Sequence, residues 1–272
     1  MSKRVSRLIC LTALVGAAFF AASRPSAQQQ TGSQTPRSVA PYDLTGYWVS
    51  VVTEDWRWRM TTPPKGDYIS IPLSDEGRRM AFAWDPKTEG SCKAYAAAGL
   101  LHIPTRLKIS WQGDDVLKVE SDAGAQTRLL RFAQTRDSGL GTRDSGLGSR
   151  DSKTDSGTPG ARSLQGFSIA EWEPLGPAGA GRAGGGPPPR ALKVTTTNLS
   201  EGWLRKNGVP YSNQTTLVEH WDRVAFPNGD VWLTVSQYVS DPKYLTGDYT
   251  TSMHFKRELD GSKFNPQPCR DL

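Results

Sequence analysis

From Arg106 onward the apolar residues of this chain recur at every second position, in runs too short for anything but strands. Leu107, Ile109 and Trp111 alternate with Arg106, Lys108 and Ser110; then Gly113-Asp114-Asp115 turns the chain, and Leu117 and Val119 alternate with Lys118 and Glu120. A period of two places one set of side chains on each face of a pleated strand. Asp122-Ala123-Gly124 turns again before 126–132, and five more runs follow: 167–173, 191–197, 215–224, 231–239 and 250–256. Pro227-Asn228-Gly229-Asp230 has the composition of a hairpin turn. With the segment that opens at Gly46, about nine strands joined mostly by short turns predict a mainly β fold. It is an antiparallel meander closing into a lipocalin-like barrel or strongly curved sheet, with a short helical excursion after strand 1.

The opening segment, Gly46 to Met60, packs Trp48, Trp56 and Trp58 into eleven residues. Read as one long strand, it carries Trp48, Val52, Trp56, Trp58 and Met60 on one face and Asp55, Arg57 and Arg59 on the other. A turn at Thr62-Pro63-Pro64-Lys65-Gly66-Asp67 follows. Ser74 then has the chemistry of a helix cap, with Asp75 and Glu76 in the first turn and Met80, Ala83 and Trp84 as the expected apolar stripe. Asp85-Pro86 ends that helix, and 93–98 reads as a further helical turn closed by Gly99.

The N-terminus has the form of an export signal: Lys3, Arg4 and Arg7, an apolar run over 8–22, then Arg24-Pro25-Ser26-Ala27. The domain plan is a signal peptide over 1–27, a disordered leader over 28–41, and one β-barrel-like domain over 42–272. That domain carries disordered insertions at about 133–163 and 174–190. The first insertion repeats TRDSGLG, which has one apolar residue per unit and makes no coiled-coil seam; the second is rich in glycine and proline. No membrane span remains in the mature chain, and its expected location is periplasmic or extracellular. Cys92 and Cys269, the cysteines left after cleavage, then form one disulfide. In the chain-entropy view a loop of that length is worth roughly 5 kcal/mol.

The formal charge of +6 invites a nucleic-acid partner, but four of the bases lie in 1–27 and the rest, about +2 net, are scattered. Phosphate binding needs a dense basic stripe, so nucleic acid is excluded. No cofactor fingerprint and no local metal-ligand spacing occurs: the glycines of 175–190 do not lead into Lys-Ser or Lys-Thr, and His102, His220 and His254 are far apart in sequence. No Gly-x-Ser-x-Gly elbow is present.

What the chain has in excess is aromatic surface, including nine tryptophans. Aromatic faces stack ring compounds, and Arg57 or Arg59 can hold an acidic group. The expected function is binding of a small, partly apolar ligand in an aromatic-lined barrel, with Trp56, Arg57, Trp58 and His102 as ligand-binding candidates. A second reading is a hydrolase or isomerase using barrel carboxylates such as Asp55 and Glu171. A third is a structural or accessory protein of the cell envelope, with a protein partner on a sheet edge.

Two resemblances extend these readings. Asp43-Leu44-Thr45-Gly46-Tyr47-Trp48 resembles the Gly-x-Trp opening of lipocalin-like barrels. The resemblance implies that Trp48 plugs one end of the barrel under a basic residue of the last strand, Lys256 or Arg257. More broadly, 168–173, 204–212, 217–224 and 239–255 are similar, in order, to segments of a large group of uncharacterised bacterial secreted β-rich proteins. That similarity implies secretion and a β-rich fold and names no reaction.

Overall fold

The two-residue alternation resolves into strands in which every second side chain is buried. A computed structural model describes residues 34–133, 159–174 and 190–270. The expected signal segment, the TRDSGLG repeats and residues 175–189 lie outside them. Thirteen strands are present among the described residues. In chain order they are β1 (Gly46–Ser50), β2 (Arg106–Gln112), β3 (Val116–Ser121), β4 (Ala123–Gly124), β5 (Thr127–Phe132), β6 (Phe167–Pro174) and β7 (Arg190–Thr197). There follow β8 (Gly202–Arg205), β9 (Val209–Tyr211), β10 (Thr216–Ala225), β11 (Val231–Ser240), β12 (Tyr249–Glu258) and β13 (Gln267–Pro268).

Nine of them close a barrel in the order β1-β12-β11-β10-β7-β6-β5-β3-β2, and they are the nine runs expected from the sequence. A ring with an odd number of strands cannot alternate direction all the way round, so one pair must be parallel. It is β5 with β6, where Leu130, Arg131 and Phe132 face Ser168, Ile169 and Ala170. A parallel neighbour needs a crossover of a dozen or more residues, and the insertion between β5 and β6 supplies the length. The plain meander is broken at that point only by the need to close.

Inside the barrel, Trp48 is fully buried and donates its indole N–H to Leu44 O at 2.9 Å. The guanidinium of Arg257, rather than Lys256, lies 5.9 Å from the Trp48 ring centroid. Leu107, Ile109, Leu117, Leu130, Trp221 and Phe255 complete this end of the core. A second apolar cluster around Leu199, Leu204, Tyr211, Leu217 and Val239 fills the other end. Apolar side chains therefore occupy both ends of the lumen.

Four local expectations change. The opening segment is not one strand: β1 stops at Ser50, and Trp56–Arg59 forms a helical turn, α1, behind a left-handed Asp55. The cause is the ladder. Arg106, the first residue of β2, pairs with Val49, so beyond Val51 the chain has no β2 partner. The backbone then satisfies itself, Trp58 and Arg59 donating to Asp55 O.

The predicted helix, α2 (Asp75–Phe82), is capped by Ser74, whose hydroxyl accepts from Gly77 N at 3.1 Å. Its buried face is Gly77 and Ala81 followed by Trp84, while Met80 is 42% exposed. Small residues win the contact face because the helix lies against backbone: a Cβ on Gly77 would sit 2.3 Å from Tyr244 O. Residues 34–41 are not a free leader either. Trp172 donates to Pro36 O at 2.9 Å, and Val39 and Ala40 pack on the barrel core. Likewise 159–163 is tied down, Asn198 donating to Gly160 O at 2.9 Å and Ser163 bridging Leu199.

Cys92 and Cys269 are disulfide-bonded, with Cα atoms 5.0 Å apart. The bond anchors β13, which pairs in parallel with β4, so the C-terminal segment is stitched to the loop after β3. Among the described residues no helix is long and apolar enough to cross a membrane.

Candidate functional site

The excursion between β1 and β2 and the β8–β9 hairpin together cover one end of the barrel. The short helix α3 (Ala97–Leu100) is pressed against β8 so closely that a Cβ on Gly99 would lie 2.2 Å from Trp203 O. Pairing of β8 with β9 is irregular between Trp203 and Arg205. In a regular strand residues two apart share a face, and a bulge re-aims one of them. Trp203 faces an open cleft and Arg205 an enclosed cavity.

The enclosed cavity measures about 20 Å³ and is lined by Trp58, Arg59, His102, Arg205, Lys206 and Tyr249, with Asp55 at its edge. His102 stacks on Tyr249 with ring centroids 6.2 Å apart. The guanidiniums of Arg205 and Arg57 stand 4.9 and 5.6 Å from the Trp58 ring centroid. Arg59 is 3% exposed and donates to Val51 O at 3.0 Å and Leu101 O at 3.4 Å. Lys206 Nζ donates to Arg59 O at 3.1 Å.

Burial lowers the pKa of Arg59, against the opposing pull of Glu54 and Asp55, and burial likewise lowers that of Lys206. The His102 imidazole is pushed down to about 3 by burial and by the charges of Arg59 and Arg205, so it is neutral at physiological pH.

Beneath the cavity runs a polar layer. Arg128 of β5 and Glu219 of β10 form a buried ion pair, Gln237 donates to Glu219 at 2.9 Å, and Arg128 also donates to Thr196 at 3.1 Å.

The open cleft, about 280 Å³, lies between α2 and the β8–β9 hairpin, with Trp84, Trp203, Pro210, Tyr211 and Tyr244 in its walls. Trp84 and Trp203 meet edge to face, centroids 6.4 Å apart. The Trp84 indole N–H and the Tyr211 hydroxyl are buried without hydrogen-bond partners. Burial pushes the Tyr211 pKa up, against the charge of Arg128, so the hydroxyl stays protonated.

Of the residues singled out from the sequence, Trp58 and His102 share the enclosed cavity. Trp56 is 62% exposed, and Arg57 is an exposed side chain bonded to Asp67 at 2.8 Å; neither lines it. The helical turn is the reason, because a strand's alternation no longer governs 56–59. Asp55 and Glu171 do not meet: Asp55 is exposed at the cavity's edge, whereas Glu171 sits on the outer surface beside Lys193 at 3.2 Å. His220 bonds Glu173 at 3.3 Å and His254 bonds Glu54 at 2.7 Å, both apart from His102. Among the described residues no three His, Cys, Asp or Glu side chains gather as metal ligands.

Sequence reasoning passed over Arg205, Lys206 and the whole cleft. The only signal was a basic pair set between apolar Trp203-Leu204 and the Asn207-Gly208 turn. The chain matches no family model, no curated protein and no solved structure.

Proposed function

We propose that this is an exported β-barrel protein, periplasmic or extracellular, that binds a small, partly apolar molecule in the aromatic cleft between α2 and the β8–β9 hairpin. The carrying observation is the Trp84–Trp203 pair walling a cleft of about 280 Å³. That is just under the roughly 300–1,000 Å³ of ordinary small-molecule sites. The filled lumen argues against a ligand held within the barrel itself. The Cys92–Cys269 bond and the basic-then-apolar N-terminus support export.

Native mass spectrometry of the protein isolated from its own host, beside the same sample denatured, tests the reading. A reproducible extra mass, lost on denaturation and lost in Trp203→Ala, supports it. A mass that stays bare after incubation with host extract overturns it.

A second reading, an accessory protein docking a protein partner, is favoured by one feature. Trp56, Met60, Ile69 and Phe82 of the excursion are each more than half exposed, and exposed apolar clusters mark interaction surfaces. Docking through a barrel edge is not open to it, because the nine-stranded sheet is closed.

A further inference from the structure

We propose that the enclosed cavity at the barrel end is a second binding site, separate from the aromatic cleft, which takes the carboxylate of a small monoanion between Arg59 and Arg205. The first argument is unpaired charge. Arg59 and Arg205 are 3% and 8% exposed, and a buried charge is costly unless it is paired. Among the described residues neither forms an ion pair; the only charge-seeking contact of Arg205 is the Trp58 ring.

The second argument is convergence. Arg59 Nε, Arg205 Nη1, Trp58 Nε1 and His102 Nε2 are all buried with no hydrogen-bond partner, and all four residues line the same cavity. A single water accepts only two hydrogen bonds and brings no charge. A carboxylate has two oxygens with about four acceptor positions between them. It matches the fork of an arginine. The neutral imidazole of His102 does not compete as a further cation.

The class of anion follows from size and charge. About 20 Å³ is room for roughly one water-sized group. A carboxylate seats one oxygen there and leaves a single further oxygen beside it, whereas a phosphate or sulfate leaves two or three and a second charge. The lining bases Arg59, Arg205 and Lys206 face Asp55 at the edge, with Glu54 bound to His254 and Glu89 to Thr62 further out. The surplus of positive charge is partly offset, which suits a monoanion. Tyr249, Ile103 and Trp58 add apolar surface to the lining, which suits a short aliphatic or aromatic body.

The site goes beyond the cleft reading and stands or falls separately. Calorimetric titration of the oxidised full chain at pH 7 uses propionate and benzoate, with propionamide and benzamide as neutral isosteres and sulfate as a tetrahedral anion. Both acids are expected to bind at least tenfold more tightly than their amides and than sulfate, and Arg205→Gln to weaken acid binding at least tenfold. Should that variant fail to fold, the indole N–H resonance of Trp58 in the unmutated chain, assigned with Trp58→Phe, is expected to move with benzoate and not with benzamide. Acid and amide binding alike, sulfate binding as well as the acids, or no heat from either acid overturns the carboxylate site. None of these results touches a ligand retained in the cleft.

Discussion

Arg128 and Glu219 meet across the barrel lumen in a two-pronged ion pair, with Nη1–Oε1 at 3.1 Å and Nη2–Oε2 at 2.6 Å. Their side chains are 1% and 0% exposed. Gln237 gives Glu219 a third hydrogen bond, and Thr196, itself bonded to Ser168 at 2.8 Å, accepts from Arg128. The pair divides the lumen into two apolar cores and ties β5, β7, β10 and β11 together at one level. Arg128 Nε and Gln237 Oε1 stay buried without partners, so the network is only partly satisfied and its desolvation cost is only partly offset.

Removing one partner alone should therefore cost more than removing both. Glu219→Leu leaves an uncompensated guanidinium inside the barrel and is expected to lose about 3–5 kcal/mol. The Arg128→Met/Glu219→Leu double variant is expected to be more stable than Glu219→Leu. Urea unfolding at pH 7 measures both, and a double variant weaker than the single one would show that Arg128 remains satisfied, through Thr196, without Glu219.

His102 links acidity to stability. Its pKa is about 3 in the folded protein against about 6.5 in an unfolded chain. Below pH 6.5 the unfolded state binds a proton that the folded state refuses, so stability is full above that pH and falls as pH drops toward 3. In His102→Gln the fall between pH 7 and pH 5 is expected to be shallower than in the parent chain. Chemical-denaturation midpoints at the two pH values decide it; equal slopes would mean that His102 titrates normally.

Reduction of the Cys92–Cys269 bond frees a loop with a sequence separation of 177 residues. The expected loss is about 2–5 kcal/mol, with the β13–β4 pairing released first, since that short pair has no other covalent tie. Thermal unfolding with and without dithiothreitol, and amide hydrogen exchange at Gln267, Cys269 and Arg270, report the two effects.

Gly208 controls the cleft. Its φ is +75°, and a Cβ there would lie 2.3 Å from the Trp84 ring. Gly208→Ala is expected to destabilise the fold by about 1–3 kcal/mol through backbone strain and overpacking, and to displace Trp84 from the cleft wall. Loss of a retained ligand in native mass spectra from a variant that still unfolds cooperatively would separate the cleft effect from simple unfolding.

How much was legible is clearest at particular segments. The run Arg106–Trp111 displays its strand openly, because burial on one face forces a two-residue period whatever the partner strand is. Ser74 displays its cap, because an N-cap bond closes within three residues. Trp56–Arg59 misleads by its alternation of aromatic and basic residues. Its helical turn depends on where β2 begins, more than forty residues away in sequence. Arg205 is equally opaque: nothing local distinguishes a buried arginine from a solvated one, and only the irregularity of β8 turns it inward.

By itself the sequence determined the nine strands of the barrel, the turns between most of them and the cysteine pair open to bonding, because each is decided by neighbours a few residues apart or by simple count. The tertiary structure alone decided the parallel closure at β5 and β6, the filling of the lumen by apolar side chains and the Arg128–Glu219 pair. It also decided the gathering of Trp58, Arg59, His102 and Arg205 around one cavity. Those are contacts between residues distant in sequence, and their energies depend on burial and on which groups remain unpaired, quantities that exist only once the chain has closed on itself.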